Sequence, residues 1–404
     1  MTLFTYKARD KKSRIREGTI EAASRQQIFD LLKKYNLIAT SITEKKKDSP
    51  LANILSLLGG VSLKSKVMFS RQLSTMINAG LSITQALKIL EEQEKPKNKK
   101  FAEIINSVTS DIEGGLSFSA ALVKFPKVFS PIYVSLVESG EASGKLDEVL
   151  DRIATQLEKD YDLKAKIKGA MMYPIFIVVV MLVVAGIVVT FVMPQLKSLF
   201  QESGAKLPIA TQVLLGVSDF VRSFWWIVLL GILGAVFGIR YFVNTEAGRS
   251  FWDSMKLKFP ITGKLTKNIY MARFTRTLAT LISSGLPILD SLIIVSDTVG
   301  NIHYKKEIEA ASRQVESGVN LAVPLENSKL FPTMVSHMIE VGEKTGSIDK
   351  ILYKLADFFD NEVSNSVAVL STMLEPVLLL IMGVGVGFFV GAVLLPVYKL
   401  ASVM

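Results

Sequence analysis

The sequence predicts a mostly α-helical integral membrane protein with two homologous cytoplasmic antiparallel helical bundles, three transmembrane helices and a small N-terminal α+β module. Three observations predict this fold class: long uncharged apolar runs, basic residues clustered beside those runs, and an internal duplication. Of the 404 residues, 49% are hydrophobic and 21% are charged. This composition is too apolar for an ordinary soluble protein and too charged for a bundle of membrane helices alone, so we expect soluble domains joined to a few spans.

Residues 1–45 predict the small α+β module. Alternating apolar and polar residues favour strands, and Ser24 is a typical helix N-cap. The expected elements are strands at Leu3–Ala8, Ile15–Ala22 and Leu37–Thr43 and a helix at Ser24–Tyr35.

Residues 46–65 form a linker between this module and the first bundle. The linker contains a short apolar stretch, Leu51–Leu58. Two readings stay open for it: a mobile tether, or a segment that lies on the membrane surface.

Three apolar runs predict the spans, at residues 174–194, 224–243 and 376–396. Ile175–Met193 and Val377–Leu395 carry no charge, and each is long enough to cross a hydrocarbon core of about 30 Å as a helix. The middle run is weaker because Arg240 interrupts it. Arg240 is near one end, where its side chain can reach the membrane surface.

The placement of basic residues orients the chain. There are 47 Lys+Arg against 37 Asp+Glu, a net charge of +10. Lys164 and Lys168 precede the first span, and Arg249 follows the second, which marks these sides as cytoplasmic. The N-terminus is then cytoplasmic, while the hairpin 195–223 and the C-terminal tail 397–404 are external. The polar, basic start of the chain predicts no cleavable signal peptide.

The chain contains two copies of one unit. The opening Phe-x-Arg-x-Leu at Phe69 recurs at Phe274, and a proline bounds both ends of the first and third spans. The copies predict bundles at residues 66–173 and 244–375, each followed by an outgoing span. Two parallel copies need a return crossing between them, which supports the run 224–243.

Helical periodicity runs through both bundles. The clearest segments, where apolar residues recur every three or four positions, are Phe101–Ile112, Asp147–Leu163, Tyr304–Val315 and Ile348–Val363. We expect several short antiparallel helices in each copy.

A Gly-Glu-x-x-Gly turn is the second signature of the repeat. It lacks the spacing of a phosphate-binding loop, so we predict that its glycines let two helices meet closely. Its aspartates complement the start of the next helix, and its glutamates are free to face a partner. A divalent cation held by such carboxylates is a weaker alternative. The signature residues are Gly140, Glu141, Gly144, Lys145 and Asp147 in the first copy and Gly342, Glu343, Gly346 and Asp349 in the second.

The third span carries a second set of candidate residues. Gly383, Gly387 and Gly391 form a small-residue face that favours close helix contact, either within the chain or with a helix of another subunit. Glu375 stands at the membrane edge and is either solvated or orients a membrane partner.

Composition argues against several chemistries. There is no Cys and there are two His, which excludes disulfides, thiolate nucleophiles and His-rich metal sites. We therefore expect no catalytic residue, cofactor or resident metal. Basic residues are not interleaved with aromatic ones, so nucleic-acid contact by this chain has no support.

The chain resembles the secretion F family, the inner-membrane platform proteins of type IV pilus and type II secretion systems. The resemblance covers nearly the whole chain: the N-terminal segment Tyr6–Ala22, both Phe-x-Arg-x-Leu openings, both Gly-Glu-x-x-Gly turns and both proline-bounded spans. One departure is Ser13, where the family often has glycine in the first hairpin.

The resemblance implies a non-enzymatic platform in the cytoplasmic membrane. It implies contact with a hexameric cytoplasmic ATPase, with pilin or pseudopilin subunits, with other inner-membrane components and with lipid, in a homo-oligomer. Residues around Glu141, Lys145, Glu343 and Asp349 would then contact the ATPase or help the copies pack. The alternatives are a repeat-built transporter or unrelated scaffold, disfavoured by few spans and few intramembrane polar residues, and a membrane enzyme.

Overall fold

A computed structural model describes residues 2–9, 15–22, 31, 38–44, 60–195, 198, 209–260 and 262–401. The chain divides into two compact units, Met1–Ser62 and Leu63–Met404. The described part is mostly helical.

The N-terminal unit contains a three-stranded antiparallel sheet. Its strands are β1 (Thr2–Arg9), β2 (Ile15–Ala22) and β3 (Ile38–Glu44), in the order β2-β1-β3. The predicted strands match these in number and position. The predicted helix Ser24–Tyr35 lies outside the described residues apart from Leu31, which is helical, so the α+β module stays a prediction. Residues 46–59 of the expected linker are also outside them.

The first copy of the repeat begins with five helices. Side chains of Ser82, Asn98, Ser117 and Ser130 accept hydrogen bonds from backbone amides in the first turns of α2 to α5, as N-caps do. The helices are α1 (Leu63–Asn78), α2 (Ile83–Glu94), α3 (Lys99–Glu113), α4 (Phe118–Val123) and α5 (Pro131–Ser143).

The sixth helix joins this bundle to the first apolar run without a break. Helix α6 (Leu146–Ile187) has 42 residues and continues into a π-helical turn at Val188–Val192. Pro174 lies inside it. A proline costs one backbone hydrogen bond but does not end a helix when neighbouring groups compensate. The expected boundary between bundle and span therefore falls within a continuous helix.

Two helices lead to the second copy. Helix α7 (Ile209–Asn244) is kinked at Phe224, whose φ of −124° and ψ of 26° are not helical. Helix α8 (Glu246–Lys258) follows, capped by the Thr245 side chain on the amide of Gly248. The kink coincides with the predicted start of the middle span.

The second copy repeats the first. Its helices are α9 (Thr262–Ser283), α10 (Ile288–Thr298), α11 (Ile302–Glu316), α12 (Ala322–Asn327), α13 (Thr333–Thr345) and α14 (Ile348–Ala401). Helix α14 has 54 residues and, like α6, passes through the expected boundary between bundle and span. The four periodic segments predicted from sequence all lie within α3, α6, α11 and α14.

Equivalent aromatic residues form the two cores. In the first copy Phe69 packs edge-on against Phe101, with ring centroids 5.3 Å apart. Phe69 also packs against Phe129 at 6.0 Å, and in the second copy Phe274 makes the equivalent contact with Phe331 at 5.0 Å. Tyr304, at the position of Phe101, packs edge-on against Phe331 at 5.6 Å. All of these rings are buried, so the duplication extends to the packing.

Two helices are long and apolar enough to cross a membrane within the described ranges: Leu146–Gln195 and Ile348–Phe388. The most apolar window of the first is not buried at all within the protein. Side chains such as Phe176 and Leu380 are more than 60% exposed. A core helix would bury such residues, so these segments have the surface of membrane helices. A shorter apolar stretch, Leu229–Asn244, lies in α7.

Candidate functional site

The Gly-Glu-x-x-Gly turn ends one helix and starts the long one. Gly144 follows α5 with a φ of +68°, and the amide of Lys145 donates to the carbonyl of Gly140 at 2.9 Å. Gly346 follows α13 with a φ of +67°, and the amide of Ser347 donates to Gly342 at 2.9 Å. This is a Schellman ending, in which the last glycine supplies a left-handed conformation that residues with a Cβ adopt at a cost.

The first glycine of each turn permits close helix packing. A Cβ added at Gly140 would lie 3.1 Å from Cβ of Val149 and 3.2 Å from Cα of Leu146. A Cβ at Gly342 would lie 2.9 Å from Cα of Ile348. Two helices therefore meet closely at Gly140 and Gly342, whereas a Cβ added at Gly144 or Gly346 would have nothing within 4 Å.

The glutamate of each turn clamps the preceding short helix. The carboxylate of Glu141 accepts from the amides of Phe118 at 2.6 Å and Ser119 at 3.0 Å, and from the Ser119 hydroxyl at 2.5 Å. Glu343 accepts from the amides of Leu321 at 2.6 Å and Ala322 at 3.4 Å. A negative group is favourable there because the first amides of a helix have no partner of their own.

This geometry corrects the expectation that the two glutamates are free to face a partner. Their oxygen atoms are engaged inside the chain, so the glutamates hold α4 against α5 and α12 against α13. The other charged residues of the turn behave differently. Lys145 and Asp147 are exposed, Lys145 lies 3.7 Å from Glu148, and Asp349 is half-buried in the first turn of α14.

The arginine of the first Phe-x-Arg opening was not singled out from sequence, yet it braces the first bundle. Arg71 donates to Glu158 from Nε at 2.6 Å and from Nη2 at 2.5 Å, and to Asp151 at 2.6 Å. It thereby ties α1 to α6. The hydrogen bond from Arg71 lowers the pKa of the Glu158 carboxyl.

The equivalent arginine lies in a buried setting between the copies. Arg276 on α9 pairs with Asp360 on α14 and lies 3.8 Å from Asp160, which belongs to α6 of the first copy. The Arg276 side chain is only 6% exposed. Burial raises the pKa of Asp160 despite the nearby positive charges of Arg273 and Arg276, and burial likewise lowers the pKa of Arg276.

Further contacts join the two copies. The Ser139 hydroxyl donates to the carbonyl of Ser284 at 2.7 Å, and the Gln156 amide donates to Thr277 at 3.4 Å. A mixed apolar cluster continues this contact toward the apolar ends of α6 and α14. Its members come from both copies: Leu163, Ile167 and Ala170 from the first and Leu265, Ile269, Val363, Val367 and Leu370 from the second.

Comparison with known proteins identifies the fold that these motifs build. The family described as type II secretion system (T2SS), protein F, matches residues 69–194 and 274–396, and its N-terminal domain matches residues 1–43. The chain belongs to the type II secretion system protein F family. The two matched segments open at the Phe-x-Arg residues and end at the prolines after the first and third apolar runs, so the duplication is a property of the family's domain.

Relatives in this family match end to end. The type IV pilus assembly protein PilC of Thermus thermophilus is 40% identical over 406 residues, covering 100% of this chain and 99% of the relative. PilC of Myxococcus xanthus is 37% identical, covering 99% and 95%. The type II secretion system protein F of Vibrio cholerae is 32% identical, covering 100% of both. The relatives thus include proteins of two kinds of machine.

The candidate residues of the third apolar run make little contact within the described part of the chain. Glu375 is exposed. Nothing lies within 4 Å of a Cβ built at Gly383, Gly387 or Gly391. Their small faces therefore do not mediate close packing with the described helices.

An open groove separates the apolar ends of α6 and α14. Its volume is about 510 Å³, and its lining is almost entirely apolar. Phe176, Val180 and Val184 contribute one wall, and Met382 and Gly385 contribute to the other. Among the described residues, no group of three or more His, Cys, Asp or Glu is placed to hold a metal ion.

Proposed function

We propose that this chain is a non-enzymatic platform of the cytoplasmic membrane that couples a cytoplasmic hexameric ATPase to the addition or removal of pilin or pseudopilin subunits. The names of its end-to-end relatives support a place in pilus assembly or type II secretion. Its partners in this proposal are the ATPase, the subunits, other inner-membrane components of the machine, and a second copy of itself.

One observation carries the coupling role: each bundle is joined to its apolar run by a continuous helix. Helix α6 has 42 residues, which corresponds to about 63 Å of helix, and α14 has 54 residues, about 81 Å. A force applied to a bundle is transmitted along such a helix because there is no hinge loop between the bundle and the apolar run. Arg276 contacts both Asp160 on α6 and Asp360 on α14, and it thereby links the two long helices so that they move together.

We further propose three crossings, with the N-terminus cytoplasmic and the C-terminal tail external. The middle crossing is Phe224–Val243, within α7. The duplication supports this crossing. Both copies have their bundle on the same side of the membrane and end in an outgoing helix, so the chain must cross back between them. The positive-inside rule supports a cytoplasmic position for both bundles, because Lys164 and Lys168 precede the first crossing and Arg249 follows the second.

The exposed residues of the first turn are the surface we propose for the ATPase. Lys145 and Asp147 project from the start of α6, whereas Glu141 beside them is engaged inside the chain. Charges exposed at the base of a rigid helix suit a partner that pushes on that helix. This assignment differs from the sequence-based hypothesis because it excludes the glutamates from the contact.

A crosslinking pull-down from native membranes, with the intact chain as bait, tests the platform proposal. We expect recovery of a secretion-type ATPase together with a pilin-like subunit. The double variant Lys145→Glu/Asp147→Lys should lose the ATPase and keep the subunit. The matched control Lys97→Glu/Asp290→Lys, which changes charges elsewhere on the bundles, should keep both.

Two results of this pull-down would contradict the proposal in different ways. Recovery of neither partner under conditions that preserve membrane assemblies would contradict the platform role and leave the transporter alternative. Recovery of both partners by the Lys145/Asp147 variant would contradict only the proposed contact surface.

A further inference from the structure

A basic cavity lies between α8, α9 and α11 in the second copy. Its volume is about 440 Å³, and it is open to solvent. Lys258 comes from the end of α8, Lys267 from α9, and His303 and Lys306 from the start of α11. Glu307 is the one acidic residue in its wall.

The three lysines of this cavity differ from their neighbours in having no acidic partner. In the described part of the chain, no carboxylate lies within ion-pair distance of Lys258, Lys267 or Lys306. Three other lysines of the same helices, in contrast, are paired: Lys256 with Asp253, Lys264 with Glu362 and Lys305 with Asp297. Three uncompensated cations around one cavity favour an anionic ligand.

The walls of the cavity are fixed by a buried carboxylate. Asp253 on α8 is 3% exposed and accepts from the amide of Ile302, the first residue of α11, at 3.0 Å. The Asn301 side chain donates to the backbone carbonyl of Asp253 at 3.4 Å. Nε2 of His303 lies 3.1 Å from the carbonyl oxygen of Ser250. These contacts hold α8 against α11, so the lysines are presented by a pre-formed surface.

Helix α8 and the residue after it, Phe259, also carry exposed apolar side chains. Phe251 is 62% exposed, Met255 40% and Phe259 51%, and Trp252 is at 36%. The helix starts two residues after α7 ends, at the apolar stretch Leu229–Asn244. Exposed aromatic residues mixed with lysines directly after an apolar helix are typical of a segment that lies in the membrane interface.

The described part of the first copy lacks this arrangement. Helices α3 and α11 are equivalent, because each has an asparagine N-cap and an aromatic core residue three positions later: Asn98 with Phe101, and Asn301 with Tyr304. In that alignment Lys306 corresponds to Glu103, which reverses the charge. The described residues before α1 also contain no counterpart of α8.

From these observations we propose that α8, α9 and α11 form a site for the phosphate headgroup of an anionic phospholipid. Lys258, Lys267 and Lys306 bind the phosphate oxygens, and the aromatic side chains of α8 enter the interface beside the acyl chains. The site anchors the second bundle to the membrane surface. This inference is independent of which machine the chain serves.

Native mass spectrometry of the full chain in detergent tests this site. Phosphatidylglycerol and phosphatidylcholine with the same acyl chains are titrated against the wild type and the variant Lys258→Gln/Lys267→Gln/Lys306→Gln. We expect the wild type to prefer phosphatidylglycerol and the triple variant to bind it about a hundredfold more weakly, since each of the three lysines near an anionic surface contributes on the order of 1 kcal/mol. The control Lys97→Gln/Lys100→Gln/Lys350→Gln removes the same charge from exposed positions outside the cavity and should keep wild-type affinity.

Two single variants and a competition with inorganic phosphate extend this test. Lys306→Glu, which installs the first copy's residue, should also weaken phosphatidylglycerol binding, whereas Glu103→Lys should not. Equal affinity for the two lipids, an unchanged triple variant, or an equal loss in the control would overturn the site. Complete displacement of the lipid by millimolar inorganic phosphate would assign the cavity to free phosphate and overturn the lipid assignment.

Discussion

The two copies of the bundle place the same arginine in different surroundings. Arg71 has a side chain that is 33% exposed, and it pairs with Glu158 and Asp151 inside its own copy. Arg276 is nearly buried, pairs with Asp360 of its own copy, and approaches Asp160 of the other. One duplicated arginine therefore has two roles. In the first copy it is a brace that ties α1 to α6, and in the second it is a joint that connects the two copies.

Removing these arginines should give the largest difference in stability loss between the two copies. Arg276→Ala leaves the half-buried Asp360 without its partner and should lower the free energy of unfolding by about 3 kcal/mol. Arg71→Ala, at a more exposed site, should cost about 1 kcal/mol. Denaturant unfolding of the purified chain in detergent measures both, and equal losses would contradict the distinction between brace and joint.

The glycines of the two turns should rank next. Gly342→Ala places a Cβ 2.9 Å from backbone, which cannot give way easily, and should cost about 2 kcal/mol. Gly140→Ala has more room, with Cβ of Val149 at 3.1 Å and Cα of Leu146 at 3.2 Å, and should cost about 1 kcal/mol. Gly169→Ala, with nothing within 4 Å, is the control that should cost nothing. A Gly342 variant as stable as the control would contradict the close approach of α13 to α14.

Replacing the glutamates of the two turns should lower stability more in the first copy than in the second, the reverse of the order expected for the arginines and glycines. Glu141→Gln weakens three hydrogen bonds of 2.5 to 3.0 Å and should cost about 1.5 kcal/mol. Glu343→Gln weakens two, one of them at 3.4 Å, and should cost about 1 kcal/mol. The same unfolding assay decides the order. If both variants leave stability unchanged but abolish ATPase recovery, the glutamates face a partner after all.

The smallest effect is a pH dependence of opposite sign at two neighbouring acids. The pKa of Glu158 is lowered by Arg71, so its contribution is present above the ordinary glutamate value and is lost as pH falls through the lowered pKa. The pKa of Asp160 is raised by burial, so stability is lost as pH rises from the ordinary aspartate value through the raised pKa.

Unfolding midpoints of two variants between pH 7 and pH 3 test these signs. Glu158→Gln should be less stable than the wild type at pH 7 and converge with it in acid. Asp160→Asn should be at least as stable as the wild type at pH 7, and the difference in stability between the two should disappear in acid. A destabilised Asp160→Asn variant at pH 7 would show that its attraction to Arg276 outweighs the cost of burial.

Local features of the fold were predictable from the sequence. The faces of α3 and α11 follow from apolar residues at helical spacing, and the repeat is visible because Phe69 and Phe274 open matching segments. The continuity of α6 through Pro174 was not predicted, because a proline ordinarily disfavours a helix interior and only tertiary context decides otherwise.

The contacts of the site depended on packing that the sequence does not display. Glu141 binds amides of α4, and its approach to them is set by how α4 packs on α5. The ion pairs did leave a signal: Arg71 and Arg276 occupy one position of the repeat, and so do Glu158 and Asp360. Comparing charged residues between copies, as well as glycines and prolines, would have identified both pairs.

The most direct test of the account is to break the continuity of α6 between bundle and apolar run. A seven-residue Gly/Ser insertion between Met172 and Tyr173 introduces a flexible joint, whereas a seven-residue Ala/Glu/Lys insertion keeps about two helical turns. Pilus formation or secretion is then measured in a strain that lacks the native chain, alongside ATPase recovery. The account predicts that the flexible insertion abolishes assembly while retaining the ATPase and that the helical insertion preserves more activity. Full assembly by the flexible variant would contradict rigid coupling between the bundles and the membrane.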